Sequence, residues 1–225
     1  MKAGKHVLYE GAQGTMLDID HGTYPYVTSS SACAGGACTG LGVGPTNIDG
    51  VLGVIKAYTT RVGEGPFPTE LHDATGQRIR DLGSEYGATT GRPRRCGWFD
   101  AVVGRYAVRV NGASALAIMK MDILDAFAKI AICTGYRYRG SVVTELPMEP
   151  QALEACEPAY EEFDGWQQST VGITQYDDLP EKAKAYLSHL SDLLETEIAL
   201  ISTGPKREQT IITPRCGSLL KFGAC

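Results

Sequence analysis

Apolar residues between positions 179 and 194 recur every three or four positions, which is the spacing of one face of an α-helix. The residues on this face are Leu179, Ala183, Tyr186, Leu187, Leu190, Leu193 and Leu194. A short β-prone run follows at residues 198–201. The same order of elements, a helix and then a buried strand, is predicted at residues 99–110 and 114–119. Strands that alternate with helices predict an α/β fold with a mainly parallel β-sheet flanked by helices.

Other parts of the chain carry weaker signals. The further predicted elements are a packed helix at residues 51–61, a helix at 70–82, and strands at 6–9, 129–139 and 209–212. Residues 11–50 are rich in glycine, serine and threonine without a helical period, and so long a loop in a compact domain is usually functional. The proline-containing residues 145–158 are the best candidate for a linker.

Bulk composition excludes several classes of protein. No stretch approaches the roughly 20 apolar residues of a membrane span, and no charged-then-apolar leader precedes the first motif. The seven cysteines include no Cys-x-x-Cys pair, so we expect reduced thiols in a cytoplasmic protein without a membrane contact. A formal net charge of −5 argues against nucleic acid as a partner, because its phosphates would be repelled.

The glycine-rich loop at residues 87–97 concentrates three arginines and two threonines. Its glycines and proline end any helix or strand, and arginine binds carboxylate or phosphate through paired hydrogen bonds. The loop is therefore a candidate site for a small anion such as a dicarboxylate. The side chains that would hold it are Thr89, Thr90, Arg92 and Arg94. Composition alone is equally compatible with a solvated loop.

Lys120, Met121 and Asp122 follow the strand predicted at residues 114–119, and ligands bind at the carboxyl ends of parallel strands. A carboxylate there can accept from guanine N1–H and its exocyclic amine together. Adenine would leave that carboxylate unpaired, with a penalty of about 1–3 kcal/mol. An ordinary surface Lys–Asp pair is the alternative. Residues 202–204 predict a strand-ending turn that exposes backbone groups, and such turns are common without any ligand.

The loop at residues 11–50 also carries candidate ligand groups. Gln13 offers both a donor and an acceptor, which suits a purine ring, and Thr28 offers a hydroxyl, which suits a phosphate. Asp18, Asp20 and His21 are chemically suited to a metal ion, but such groups more often satisfy the backbone donors of a loop. We therefore assign no metal ligands in this chain.

Five segments, taken together in their order and spacing, resemble the adenylosuccinate synthetases. These segments are residues 11–30, 60–71, 87–97, 120–122 and 201–205. The resemblance covers only the C-terminal half of the family's chain. It identifies residues 1–213 as the C-terminal portion of a single adenylosuccinate synthetase domain, of P-loop-NTPase-like architecture with its N-terminal part missing. Residues 214–225 form an atypical tail.

The resemblance implies three sets of binding residues. The IMP-binding residues are Gln13, Thr28, Val62 and Arg92. The aspartate-binding residues are Ala88, Thr89, Thr90, Gly91, Arg92, Pro93 and Arg94. The GTP-binding residues are Arg94, Lys120, Met121, Asp122, Ser202, Thr203 and Gly204.

The family's reaction is the GTP-dependent ligation of IMP and L-aspartate to adenylosuccinate, the first step from IMP to AMP in purine biosynthesis. The resemblance implies a Mg²⁺ cofactor and a homodimer in the full-length family. It places the phosphoryl-transfer residues and the magnesium ligands in the N-terminal half, so we expect no catalytic residue and negligible turnover in this chain. The alternatives are a non-catalytic nucleotide-binding remnant and a distant GTP-dependent ligase that takes another acid.

Overall fold

The computed structural model describes residues 6–87, 91–214 and 216. The strands are β1 (Leu52–Lys56), β2 (Thr59–Arg61), β3 (Arg95–Gly97), β4 (Phe99–Asp100), β5 (Ala115–Met119), β6 (Lys129–Tyr138), β7 (Ser141–Val143), β8 (Glu157–Asp164), β9 (Ile198–Ser202) and β10 (Thr210–Ile212). The α-helices are α1 (Gly35–Leu41), α2 (Ala74–Leu82), α3 (Ala101–Asn111), α4 (Pro150–Glu154) and α5 (Glu181–Leu194). Short 3-10 helices occupy Thr15–Leu17, Pro45–Asn47, Met121–Ala126 and Tyr176–Asp178.

The principal sheet has the strand order β1-β5-β9-β10. Strand β5 pairs in parallel with both β1 and β9, and only β10 runs antiparallel to its neighbour. A Cβ at Gly53 would lie 2.7 Å from Leu116 Cδ2, so a larger residue there would require the Leu116 side chain to shift. The α/β class and the mainly parallel sheet are confirmed.

A second sheet is built on the long strand β6. Strands β7 and β8 pair antiparallel to β6, and β4 pairs parallel to it. Helix α3 contacts both β6 and α5, so it connects this sheet to the helical layer of the principal sheet. Strands β2 and β3 form a separate antiparallel pair.

Helix α5 confirms the clearest pattern of the sequence. Its buried residues are Ala183, Tyr186, Leu187, Leu190 and Leu194, and they join the largest apolar cluster with Ile118 of β5 and Ile201 of β9. Helices α2 and α3 and strands β5, β6, β9 and β10 also lie where they were predicted, with bounds that differ by a few residues.

Four predictions of local structure were wrong. Residues 51–61 form β1 and β2 rather than a helix, because the edge of β5 offers hydrogen bonds to this short apolar run, whose periodicity is ambiguous. Residues 6–9 form no strand, and Leu8 is 83% exposed. Residues 145–158 are not a linker, since they include α4 and bury Leu146, Leu153 and Cys156. Helix α1 lies in a region predicted to be loop.

The described cysteines, six in number, are free thiols. Within the same residues, no helix has the length and apolar character needed to cross a membrane. The predicted tail at residues 214–225 lies almost entirely outside the described residues.

Asp100 fixes the junction between β4 and α3. Its buried carboxylate caps the helix by accepting hydrogen bonds from the N–H groups of Val102 and Val103, both at 3.1 Å, and it accepts the Tyr136 hydroxyl at 2.7 Å. Burial raises the pKa of Asp100 to about 6, although Tyr136 and the two N–H groups oppose the shift.

We expect Asp100→Asn to change how stability depends on pH. The pKa of Asp100 is higher in the folded chain than in the unfolded chain. The protonated carboxyl of Asp100 therefore stabilises the fold fully below about pH 4, and this stabilisation is lost as pH rises through about 6. The wild-type free energy of unfolding, relative to that of Asp100→Asn, should fall by on the order of 2–3 kcal/mol between pH 4 and pH 7.5. Urea denaturation across this range measures it. Asp73→Asn, at the exposed cap of α2, is the matched control, and parallel curves for wild type and Asp100→Asn would contradict the prediction.

Candidate functional site

The carboxyl ends of β1, β5 and β9 lie at one edge of the principal sheet. The parallel register pairs Lys56 with Met119 and Ile118 with Ile201, so the residues after these strands are neighbours in space. The structure thereby brings together residues 120–122 and residues 202–204, the two segments predicted to bind a guanine nucleotide.

Lys120 has a left-handed backbone with φ 60°, which turns the chain sharply out of β5. Its Nζ donates to the carbonyl of Gly83 at 2.6 Å and to Glu85 Oε1 at 2.9 Å. Met121 is fully buried in the main apolar cluster. Lys120 therefore presents its ammonium group at the carboxyl edge of the sheet, and the buried side chain of Met121 anchors the turn after β5.

Asp122 is half-buried beside this lysine. Burial raises the pKa of Asp122; the nearby charge of Asp125 adds to that shift, while its own backbone N–H and Lys120 oppose it. Asp125 accepts hydrogen bonds from Trp166 Nε1 at 2.5 Å and from the Thr170 N–H at 2.6 Å. Asp125 thus holds the segment around Trp166 and Thr170 against the turn that carries Asp122.

The turn at residues 202–204 is buried rather than exposed, which corrects the expectation from the sequence. Ser202 Oγ donates to the carbonyl of Gly204 at 2.9 Å, and Thr203 Oγ1 donates to the carbonyl of Ile173 at 2.8 Å. A Cβ on Gly204 would lie 2.4 Å from Gln209 Oε1. Ile173 and Gln209 thus contact the turn from neighbouring segments and cover it.

The described residues of the glycine-rich loop at 87–97 form a hairpin, called the arginine hairpin below. Tyr86 and Pro93 form an antiparallel bridge, and the Gly87 N–H donates to the carbonyl of Arg92 at 2.9 Å. Gly91 has φ 64°, a conformation that favours glycine. Arg92 is exposed. The predicted residues Ala88, Thr89 and Thr90 lie outside the described residues.

Arg94 leaves this hairpin toward the sheet edge, where it meets a carboxylate that sequence reasoning missed. The side chain of Glu85 is fully buried. Its Oε2 accepts Arg94 Nη1 at 2.8 Å, and its Oε1 accepts Lys56 at 2.7 Å, the Tyr58 hydroxyl at 2.6 Å and Lys120 at 2.9 Å. No local pattern marks Glu85, because Lys56, Tyr58 and Lys120 come from distant segments and only Arg94 lies nearby, nine positions along the chain.

Glu85 is ionised at neutral pH. Burial alone raises the pKa of this carboxyl, but the hydrogen bonds from Lys56, Tyr58 and Lys120 outweigh burial and lower the pKa to about 2. Three cations thus share one carboxylate, which leaves positive charge at the sheet edge. An anion is attracted to such a place.

A cavity of about 410 Å³ opens beside the hairpin. It is lined by Gln77, Arg80, Tyr86, Pro93, Arg94 and Arg95. Two of these, Pro93 and Arg94, belong to the predicted aspartate-binding set. Arg94 already pairs with Glu85 and Arg95 with Glu70, so a small carboxylate or phosphate in this cavity would add to guanidinium groups that have one carboxylate partner each.

Of the predicted IMP-binding residues, Arg92 lies in the hairpin, whereas Gln13, Thr28 and Val62 lie outside it; Val62 directly follows Arg61, which pairs with Arg95 of β3. Gln13 is exposed with φ 64°, and Val62 is 59% exposed directly after β2. The Thr28 N–H donates to the carbonyl of Leu17 at 2.7 Å, which closes the loop on itself.

Arg61 joins this loop to the end of β2, and the sequence analysis did not single it out. Its Nη2 donates to Thr23 Oγ1 at 2.9 Å and to the carbonyl of Tyr26 at 3.0 Å, and its Nε donates to the carbonyl of Glu64 at 2.9 Å. Burial lowers the pKa of Arg61, and the charge of Arg95 adds to that shift. The contacts of Arg61 hold the segment of Thr28 beside Val62.

Asp18 organises the same loop by accepting backbone N–H groups from Asp20, His21 and Cys33 at 2.8–2.9 Å. Burial raises the pKa of Asp18, but these hydrogen bonds lower it to about 2. Asp18 therefore satisfies backbone donors of its loop, which is the alternative to metal binding that its sequence context offers. Within residues 6–87, 91–214 and 216, no three His, Cys, Asp or Glu side chains form a group that could hold a metal ion.

We expect Arg61→Lys to loosen the loop at residues 11–30. Lysine keeps the charge but cannot reach three acceptors with a fork, so the free energy of unfolding should fall by about 2 kcal/mol. Amide hydrogen exchange in residues 17–28 should become faster. Arg109→Lys, in an exposed pair with Glu145, is the control and should change stability by less than about 0.5 kcal/mol. Equal stability of the two variants would show that Arg61 does not anchor the loop.

A mostly parallel sheet with a cationic cluster at its carboxyl edge defines an α/β protein of the class that binds ligands at that edge. The family model for adenylosuccinate synthetase matches residues 1–211. The chain belongs to the adenylosuccinate synthetase family, which confirms the resemblance seen in the sequence.

Curated relatives agree with this assignment. The chain is 61% identical over 212 residues to an adenylosuccinate synthetase of Desulfitobacterium hafniense, covering 94% of this chain and 50% of the relative. It is 61% identical over 210 residues to one of Thermodesulfovibrio yellowstonii, covering 93% and 49%. The chain therefore spans about half the length of the curated relatives it matches.

A solved structure of a fully ligated adenylosuccinate synthetase from Plasmodium falciparum superposes with a TM-score of 0.88 at 42% identity. The match covers 91% of this chain and 49% of that one. The fold described above is thus the fold of the corresponding half of that protein.

Proposed function

We propose that this chain carries the GTP-, IMP- and L-aspartate-binding part of an adenylosuccinate synthetase, a carbon–nitrogen ligase of purine biosynthesis. Family membership supports the reaction. The observation that carries the proposal is the convergence of residues 120–122, residues 202–204 and Arg94 at one sheet edge, where Lys120 and Arg94 pair with the same carboxylate. In this proposal residues 1–213 belong to one domain.

On the GTP side, Asp122 accepts hydrogen bonds from guanine N1–H and from the exocyclic amine. The stem of Lys120 lies over the purine face, and the buried turn at residues 202–204 limits the pocket. On the aspartate side, Arg92 and Arg94 hold the carboxylates through their guanidinium forks. The predicted aspartate-binding set of residues 88–94 closes around that acid.

Gln13 and Thr28 contact IMP, with Val62 shaping the pocket. In the family's reaction GTP phosphorylates O6 of IMP, and the amine of aspartate then displaces the phosphate. The residues of this chain hold and orient the two reactants, which lowers the entropic part of the barrier. The described residues do not provide a set of ligands that fits Mg²⁺, and no step assigned to them involves the ion.

We infer that the chain alone binds its ligands without turnover, because none of its residues is assigned to phosphoryl transfer. The active family enzyme would be a Mg²⁺-dependent cytoplasmic homodimer. Titration calorimetry of this chain should detect GTP and IMP, with ATP at least about tenfold weaker than GTP. An assay with IMP, L-aspartate, GTP and Mg²⁺ should detect no adenylosuccinate. Absence of GTP and IMP binding would refute the proposed function, and clear product formation would refute the inferred inactivity.

Asp122→Asn should shift the base preference from guanine toward xanthine. The amide keeps an acceptor for N1–H but presents a donor where guanine carries its amine, so GTP affinity should fall about 10–100-fold. Xanthine carries a carbonyl at that position, and XTP should therefore bind Asp122→Asn better than wild type. Competition calorimetry with both nucleotides measures the shift. Asp164→Asn, in an exposed pair with Lys129, is the control, and unchanged GTP affinity in Asp122→Asn would remove this residue from the base site.

A further inference from the structure

Glu85 connects three parts of the site that are distant in sequence. Lys120 belongs to residues 120–122, the proposed guanine segment. Arg94 lies at the base of the arginine hairpin, and Lys56 ends β1. All three cations pair with one carboxylate that solvent does not reach. A buried carboxylate with fixed donors has few alternative positions, so these cations are held at set distances from one another.

Hydrogen bonds to backbone carbonyls also link the same groups. Lys120 Nζ donates to the carbonyl of Gly83 at 2.6 Å, two positions before Glu85. The Arg94 N–H donates to the carbonyl of Glu85 at 2.9 Å, and Arg80 Nε donates to the carbonyl of Arg94 at 2.7 Å. A shift of Lys120 is therefore transmitted to the hairpin through both the side chain and the backbone of residues 83–85.

The charge of Glu85 is what keeps the cluster assembled. The partly exposed cations, Lys56, Lys120 and Arg94, repel one another, and each is attracted by the shared carboxylate. Arg94 Nε is buried without a hydrogen-bond partner, so the direction of this guanidinium depends on the pairing of its Nη1 with Glu85. Loss of the negative charge would remove the side-chain link between Lys120 and Arg94 and would leave only the backbone contacts.

We propose that Glu85 is a positioning residue that couples the guanine-nucleotide segment, residues 120–122, to the described residues 91–97 of the arginine hairpin. A guanine nucleotide that contacts Lys120 orders Arg94 and the hairpin through the shared carboxylate. The inference rests on the proposed function, because it takes the ligand at Lys120 to be a guanine nucleotide.

The test compares the wild-type chain with Glu85→Gln, which keeps the shape of the side chain and removes its charge. Glu70→Gln is the matched control, because Glu70 is a largely buried carboxylate that pairs with Arg95 rather than with the guanine segment. Calorimetry gives the affinities for GTP and IMP. Hydrogen exchange of peptides covering residues 91–97, with and without saturating GTP, reports the order of the hairpin.

We expect GTP to slow this exchange in the wild-type chain and in Glu70→Gln. In Glu85→Gln, GTP should bind at least about tenfold more weakly and should slow the exchange much less when saturating, whereas IMP, which the hairpin contacts through Arg92 alone, should lose at most about threefold in affinity. Tyr58→Phe serves as a second, milder variant, since it removes only one hydrogen bond to Glu85. It should weaken GTP binding and the GTP-dependent protection about two- to threefold.

The outcomes separate the inference from the function on which it rests. A wild-type chain that binds no GTP overturns the proposed function and this role together. GTP binding with full protection of residues 91–97 in Glu85→Gln overturns the coupling alone, and so does full protection in Tyr58→Phe if Glu85→Gln does not fold. An equal loss of GTP and IMP affinity in Glu85→Gln would show a general structural role and would also overturn the coupling.

Discussion

The position of β5 between two parallel neighbours is the constraint on which the rest of the structure depends. Because β1 and β9 run in the same direction as β5, all three strands end at one edge of the sheet. The polar residues that end or follow them, among them Lys56 and Lys120, are thereby gathered without being close in sequence. Burying such groups is unfavourable unless they find partners, and Glu85 pairs with both.

Single buried polar side chains give the long loops their shape. Asp18 collects backbone donors from the loop at residues 11–50, Arg61 joins that loop to β2, and Asp100 fixes the start of α3. In each case one charged or hydrogen-bonding group satisfies several partners from different segments. The loops are therefore ordered by a few strong contacts rather than by regular secondary structure, and those contacts place the proposed ligand groups.

The elements predicted correctly are those with a clear period or a clear boundary. Helix α5 repeats every three to four residues over almost four turns, and β5 is an uninterrupted apolar run between polar ends. Residues 51–61 have neither signal, since an apolar stretch of this length suits a helix or a strand equally. The neighbouring edge of β5 decided between them. The burial of residues 202–204 was also missed, because Ile173, which helps to cover the turn, lies about 30 positions away in sequence.

The sequence by itself determined the α/β class, most of the periodic elements and the family, because these depend on local spacing and on motifs whose order is visible in the chain. It also indicated which residues carry the chemistry, such as Arg94 and Lys120. Only the tertiary structure decided that these two residues share one buried carboxylate. A carboxylate such as Glu85 acquires its role from partners far away in sequence, and the energy of that pairing exists only once the strands have brought the partners together.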